Sequence, residues 1–166
     1  MKMPDLDLLR ELAAARTYYE ERFGWPVTIE VNTERLVIPL GQRLDAVVMP
    51  EALGSRVLTE LRICLLAGPV LADTGGDWWM FLTGPKGTAP KDVADLRCVE
   101  VHLPAAGTLV VIPREIGETN GWPWIERPRP LHLLPPWPAV LATTRRTCAR
   151  IPRIPAPRIP DLIRTR

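Results

Sequence analysis

Residues 75–81 read Gly-Gly-Asp-Trp-Trp-Met-Phe, a glycine turn that opens directly onto a bulky hydrophobic segment. Glycine adopts the backbone conformations that tight turns require, and aromatic residues favour the pleated surface of a strand. Two further short hydrophobic runs, 44–49 and 99–103, are typical of strands of similar length. Together these runs predict a sheet that is built from short strands.

The composition is typical of one globular domain. The chain has 166 residues, of which 46% are hydrophobic and 24% charged, and no apolar run approaches the ~18 residues that span a bilayer. The first residues are charged and lack the pattern of a secretory signal, so a cytoplasmic location without membrane association is expected. Cys64, Cys98 and Cys148 are widely spaced, which argues against a disulfide framework and against a structural zinc site.

The first half of the chain alternates helical and extended patterns. Residues 5–23 place apolar side chains three and four apart, which predicts an amphipathic helix that Gly24 ends. A strand is expected at 27–31. The runs 35–40 and 44–49 are separated by three residues, the pattern of a hairpin, and a second helix is expected from Pro50 through a buried stripe that ends at Leu65.

The second half contains more short strands. A second hairpin is predicted between 70–72 and 78–83, followed by a short helical stretch near 91–97. The runs 99–103 and 108–112 are predicted to be two strands joined by a tight turn at 104–107. An edge strand at 122–125 and a final helix at 139–146 complete the pattern. The predicted fold class is α+β: a mixed, largely antiparallel sheet of short strands, flanked by two or three helices.

The end of the chain differs in composition from the rest. Residues 1–146 are expected to form the domain, whereas residues 147–166, the basic tail, are rich in proline and arginine. Proline at that density removes main-chain donors and prevents helix and central strand, so a flexible tail of polyproline II character is expected. Arg150 and Arg153 of this tail, with Arg145 and Arg146 just before it, are the candidates for contacts with DNA or a nucleotide.

The order of these elements resembles a known family. A helix, the segment Gly-Trp-Pro-Val at 24–27, a hairpin, a helix and a Gly-Gly strand are similar in order to the bifunctional DNA primase/polymerase N-terminal (Prim-Pol) domain of the archaeo-eukaryotic primase superfamily. The resemblance covers roughly residues 12–145. Residues 75–81 fit the family's Gly-Gly-x-His-x-aromatic-Phe strand, 108–113 fit its last strand before a proline, and 121–124 fit a trailing aromatic element.

The chain departs from the family at the positions that carry chemistry. The family's Asp-x-Asp strand corresponds to a strand whose only acid is Asp45, and in the preferred register Val48 and Pro50 occupy the two acidic positions. Trp78 stands where the family has its histidine. The family's third acid falls near His102, with Glu100 one alternation away on the same strand.

These departures weaken the prediction of nucleotidyl transfer. Two-metal phosphoryl transfer requires clustered carboxylates that hold Mg²⁺, so no metal or cofactor is expected unless displaced ligands bind Mg²⁺ or Mn²⁺. Asp45, Glu100 and His102 are the candidate catalytic residues in that alternative. The other interpretation makes Asp45 a solvated residue paired with Arg43 or Arg35, and His102 a half-buried polar residue.

Two other features are candidate binding residues. Lys86 lies in a glycine-containing loop at 83–88 whose main-chain N–H groups can bind a phosphate, although a surface hairpin loop gives the same pattern. Trp78 can stack on a base, whereas the alternative is that the six tryptophans provide core volume or face a partner.

Three functions follow from this pattern. The leading hypothesis is a divergent Prim-Pol-like domain that has lost nucleotidyl transfer and serves in nucleic-acid or nucleotide binding or regulation. One alternative is a protein-interaction module that uses surface tryptophans and the proline-rich tail. The other alternative is an active DNA primase/polymerase with displaced metal ligands.

Overall fold

The computed structural model describes residues 5–87, 94–97, 100–118, 121–150 and 163–164. The helices and strands of these residues are, in chain order, α1 (Leu6–Phe23), β1 (Thr28–Glu30), β2 (Arg35–Pro39), β3 (Asp45–Pro50), α2 (Glu51–Ile63), β4 (Val70–Ala72), β5 (Trp78–Thr83), α3 (Ala94–Arg97), β6 (Leu109–Ile112), β7 (Trp124–Glu126), α4 (Trp137–Cys148) and β8 (Ile163–Arg164). No helix in the described ranges combines the length and the apolar character that crossing a membrane requires.

The strands form two antiparallel sheets, which confirms the α+β class but divides the expected single sheet in two. The first sheet has the order β1-β2-β6-β8, and the second has the order β3-β5-β4-β7. Residues 151–162 of the basic tail lie outside the described residues. Ile163 and Arg164 pair with the edge of β6, so this part of the tail adds a short strand to the first sheet.

Helix α1 has the ends that its sequence predicts. The side chain of Asp5 accepts a hydrogen bond from the main-chain N–H of Asp7 at 3.0 Å. Gly24 has a φ of 67°, and its N–H donates to the carbonyl of Glu20 at 2.9 Å. Both ends therefore satisfy main-chain groups that a helix terminus leaves without partners.

The predicted hairpin between 35–40 and 44–49 is wrong. Strand β2 pairs with β1 and β6, whereas β3 pairs with β5, so the connection at 41–44 leads from one sheet to the other. Every residue of β3 is buried. A strand that is buried on both faces is determined by tertiary packing, and this overrides the local preference for a hairpin.

The two strands predicted at 99–103 and 108–112 do not lie in one sheet. Strand β6 pairs with β2 in the first sheet, while His102 forms an isolated bridge with Val48 of the second sheet. Residues 98–99 lie outside the described residues, as do 91–93 of the predicted helix near α3. Here too the chain passes from one sheet to the other at a turn.

The other predicted elements are confirmed with small changes in their ends. The hairpin of β4 and β5 has the register Val70↔Phe81 and Leu71↔Met80. The predicted edge strand is β7, and the final helix, α4, extends beyond the predicted range at both ends. Leu65 is exposed instead of buried, because α2 ends at Ile63.

The second sheet is the middle layer of the molecule. Ala46 and Val48 of β3 face a core shared with α1 and the first sheet, whereas Val47 and Met49 face a second core shared with α2 and α4. Successive residues of a strand point to opposite faces, so both faces of β3 are packed. This arrangement explains why the strand is a continuous hydrophobic run.

Candidate functional site

The structure brings together the positions that the resemblance assigns to chemistry. Pro50 of β3 is paired with Trp78 of β5. Val48, also in β3, forms a bridge to His102 on the edge of β3 that faces away from β5. The rings of Trp78 and His102 have centroids 5.2 Å apart. Val48 is fully buried, so this part of the second sheet is lined by hydrocarbon.

Trp78 is a residue of the hydrophobic core. Its side chain is only 1% exposed and packs in the core shared with α1 and the first sheet. Its main-chain N–H donates to Oδ1 of Asp73 at 3.1 Å, which closes the turn before β5. A ring so deeply buried has no exposed face for a base, so the expected stacking role of Trp78 does not fit its position.

Asp45 is a buried carboxylate, and its interpretation as a solvated residue is wrong. Asp45 is only 2% exposed, and its Oδ2 accepts a hydrogen bond from the main-chain N–H of Lys86 at 2.8 Å. In the described ranges Asp45 has no ion pair with Arg43 or Arg35, and Oδ1 has no hydrogen-bond partner. This contact holds the loop that follows β5 against the start of β3.

Asp45 does not meet the other two catalytic candidates. It lies three residues from Val48, the residue bridged to His102, and a strand rises about 3.4 Å per residue, so the main chains are about 10 Å apart along β3. Glu100 and His102 are close to each other, with 3.8 Å between Oε2 and Nε2, and both side chains are half-buried. Glu100 and His102 therefore form a pair, and Asp45 lies apart from them.

The described candidate arginines at the end of α4 and the start of the basic tail already have partners. Arg145 donates to Oδ2 of Asp95 at 3.0 Å, and this hydrogen bond lowers the pKa of Asp95. Arg150 lies 3.8 Å from Oε1 of Glu60 on α2. Arg146 donates to Oγ1 of Thr143 within α4, and Arg153 lies outside the described residues. Arg145 and Arg150 thus each face a carboxylate.

A groove that the sequence did not indicate lies on another part of the molecule. It has a volume of about 690 Å³ and lies where the end of α1, the loop before β3, the segment before β4 and the segment after β7 converge. Its arginine side chains are Arg22, Arg43, Arg127 and Arg129, and His132 also lines it. The described residues that line it include neither aspartate nor glutamate. We refer to it as the arginine groove.

Two of the four groove arginines are fixed by hydrogen bonds within the protein. Nη1 of Arg43 donates to the carbonyl of Gly24 at 3.1 Å, and Nη2 of Arg129 donates to Oε1 of Glu126 at 3.1 Å. Arg22 and Arg127 are exposed and form no ion pair with a carboxylate of the described residues. Two guanidinium groups are therefore available to an anion without breaking an ion pair.

The segment after β7 gives the groove an apolar edge. Leu131 and Leu133 have relative exposures of 101% and 95%, and both line the groove. The main-chain N–H of Gly84 donates to the carbonyl of Pro135 at 3.0 Å, which joins this segment to the end of β5. A Cβ at Gly68 would lie 2.3 Å from Cδ of Pro135, so only glycine permits this approach.

No motif in the sequence marks the groove, since its arginines come from distant parts of the chain. Within the described ranges, no three His, Cys, Asp or Glu side chains form a group that could hold a metal ion. Comparison of the chain with family models, with curated proteins and with solved structures gives no match.

Proposed function

We propose that the protein is a divergent Prim-Pol-like domain that binds nucleic acid or a nucleotide in the arginine groove, in the cytoplasm, and does not carry out nucleotidyl transfer. The observation that supports this most directly is the set of four arginines in a groove whose described lining contains no carboxylate. A concave surface with one sign of charge concentrates ligands of the opposite sign.

Arginine is well suited to phosphate. Its planar guanidinium donates two parallel hydrogen bonds to a phosphate group and remains charged at every physiological pH. Arg22 and Arg127 are exposed in the groove, and Arg43 is fixed at its wall by Gly24. A phosphate that enters the groove meets several such donors, whereas a neutral ligand gains little from them.

The side chains near the family's metal positions support the absence of nucleotidyl transfer. Val48 and Pro50 offer only hydrocarbon, and a hard cation such as Mg²⁺ takes oxygen ligands. Asp45 lies farther along β3 and uses one of its oxygens to accept the N–H of Lys86. In the part of the chain that the structure describes, the remaining acids do not form a group that could hold a metal ion.

The proposal is tested by fluorescence anisotropy with a fluorescein-labelled, mixed-sequence single-stranded oligonucleotide over a series of salt concentrations. Arg22→Gln and Arg127→Gln remove charge from the groove, and Arg56→Gln removes an exposed arginine of α2 that does not line it. We expect each groove variant to weaken binding and to reduce the salt slope by about one contact, and we expect Arg56→Gln to match the wild type.

The result that would overturn the proposal is equally specific. Either no binding at low salt, or the same loss from Arg56→Gln as from the groove variants, would mean that the groove is not the site. A further full-length variant neutralises the basic tail: Arg150→Gln, Arg153→Gln, Arg158→Gln and Arg166→Gln. If this variant alone lost binding, the tail rather than the groove would carry it.

A protein-interaction function is the second candidate, but its surface differs from the one that the sequence predicted. All six tryptophans are buried or half-buried, so they do not form an exposed surface. The four most exposed large apolar side chains of the described residues are instead Ile63, Leu65, Leu131 and Leu133. These residues favour an apolar contact with a partner, and Leu131 and Leu133 place part of that contact in the groove.

A further inference from the structure

We propose that the ligand of the arginine groove is a single-stranded nucleic acid whose bases pack against Leu131 and Leu133; this inference rests on the proposed function. Both leucines are almost fully exposed and both line the groove beside its arginines. Large apolar side chains that are exposed together on a concave surface are typical of binding sites. Here the neighbouring charge requires the ligand to be anionic as well.

The main chain at Leu131 has a φ of 65°, a left-handed conformation that is unfavourable for a residue with a Cβ. Leu65 combines a similar φ with an exposed side chain outside the groove, so this conformation does not by itself mark a site. What distinguishes Leu131 is its position among the groove arginines. A ligand that covers the side chain would recover the free energy of the exposed surface.

The leucines stand on a segment that is anchored on both sides. The N–H of His132 donates to the carbonyl of Arg129 at 3.3 Å, and Leu134 packs partly buried against the core. Pro135 is buried and accepts the N–H of Gly84. The exposed side chains of Leu131 and Leu133 are therefore presented by a fixed part of the fold.

The combination of charge and apolar surface distinguishes a single strand from a duplex. A duplex stacks its bases inside and presents sugar and phosphate outside, so its contacts with arginine are strong and its contacts with leucine are few. A single strand has unstacked bases that pack on apolar and aromatic side chains while its phosphates bind the arginines. Phe23, half-buried in the same groove, adds an aromatic ring to this surface.

An acidic amphipathic peptide has the same two properties, but the cations favour nucleic acid. The four charged side chains among the described residues that line the groove are all arginines. Guanidinium planes bind phosphate with two hydrogen bonds and also stack on bases, so arginine contributes to both parts of a nucleotide. A peptide carboxylate uses only the first of these interactions.

The experiment compares Leu131→Ser and Leu133→Ser, alone and together, with Leu65→Ser. Leu65 is a matched control because it is 91% exposed, has a φ of 57° and does not line the groove. Anisotropy is measured with three probes of the same length: a single strand, its duplex, and a strand of abasic sites. Circular dichroism melting confirms that each variant is folded.

We expect the double variant to bind the single strand about tenfold more weakly, which is the size of the loss of one base-packing contact. Binding of the duplex and of the abasic strand should be unchanged, and Leu65→Ser should match the wild type with every probe. If the double variant bound the single strand as tightly as the wild type while Arg127→Gln lost affinity, the inference would be wrong and the proposed function would stand.

Two other results would also overturn the inference. An equal loss with all three probes would mean that the leucines support the groove and do not contact bases. The second result comes from a separate measurement, in which the probe is an acidic amphipathic helical peptide. If the double variant lost this peptide but kept the single strand, the leucines would form a peptide site.

Discussion

Val48 and His102 exchange both of their main-chain hydrogen bonds, with the N–H of Val48 2.9 Å from the carbonyl of His102 and the reverse pair at 2.8 Å. This bridge is isolated, yet it adds His102 to the edge of the second sheet, beside β3 and opposite β5. Two positions that the resemblance assigns to metal-binding acids are thus neighbours in space. In this chain they are a fully buried valine and a half-buried histidine.

The first prediction concerns enzymatic activity. Incubation of the protein with a primed template, deoxynucleotides and Mg²⁺ or Mn²⁺ should give no extended product, because the side chains near the metal positions lack clustered carboxylates. Product is measured on a denaturing gel beside an active polymerase. An extended product that disappeared in Asp45→Ala would contradict the prediction and would show that Asp45 belongs to a working metal site.

The second prediction concerns Asp45 as a structural residue. Asp45→Ala should lower the free energy of unfolding by about 1–3 kcal/mol, because the N–H of Lys86 loses its acceptor in a buried place. Asp45→Asn keeps an acceptor oxygen for this N–H, so it should be less destabilising than Asp45→Ala. Urea denaturation measures both. Equal losses in the two variants would mean that the hydrogen bond to Lys86 is unimportant.

The third prediction concerns the turn between the two sheets. Gly41 has a φ of 101°, and a Cβ there would lie 2.6 Å from Cβ of Ala106. Gly41→Ala should therefore lower the free energy of unfolding by about 1–3 kcal/mol, through strain and overpacking. The control is Gly117→Ala, since a Cβ at Gly117 would meet nothing within 4 Å. A chemical denaturation series in which both variants had the same stability would contradict the prediction.

The fourth prediction concerns stability in alkali. Burial raises the pKa of Tyr19 to about 12, and its hydroxyl donates to the carbonyl of Pro113 and accepts from Nε1 of Trp124. Between the unfolded pKa of about 10 and the folded pKa, the unfolded chain has lost the proton and the folded protein keeps it. The contribution of Tyr19 to the free energy of unfolding is therefore complete below about pH 10. It decreases by about 2–3 kcal/mol as the pH rises through the folded pKa.

Tyr19→Phe is the control for this prediction. It removes the titrating group, so its stability should change less than that of the wild type between neutral and strongly alkaline pH. At neutral pH it should be less stable by about 1–3 kcal/mol, because Nε1 of Trp124 loses its acceptor. Parallel pH profiles of the two proteins in denaturant would mean that Tyr19 does not control the alkaline transition.

The local elements were predictable because their signals lie close together in the chain. The ends of α1 follow from Asp5 and Gly24, which satisfy the terminal main-chain groups. The hairpin of β4 and β5 follows from the glycine turn at 73–77, where Asp73 accepts the N–H of Trp78. Each of these features depends on residues that are only a few positions apart.

The candidate site was only partly predictable. Asp45 and His102 could be chosen as candidates from the sequence, but their burial and contacts could not be predicted. Nothing in the sequence indicated the arginine groove. The guanidinium groups of Arg22, Arg43 and Arg127 come from three segments that share no motif. Their convergence depends on how the two sheets and α1 pack, and no spacing along the chain records that packing.

What the amino-acid sequence by itself determined is the type and approximate place of most helices and strands, since periodicity and caps act within a few residues. The tertiary structure alone decided which strands pair. The chain changes sheets at 41–44 and again between His102 and β6, and both faces of β3 are buried in place of the local hairpin that the sequence predicts. The burial of Asp45 and the arginine groove are consequences of that choice.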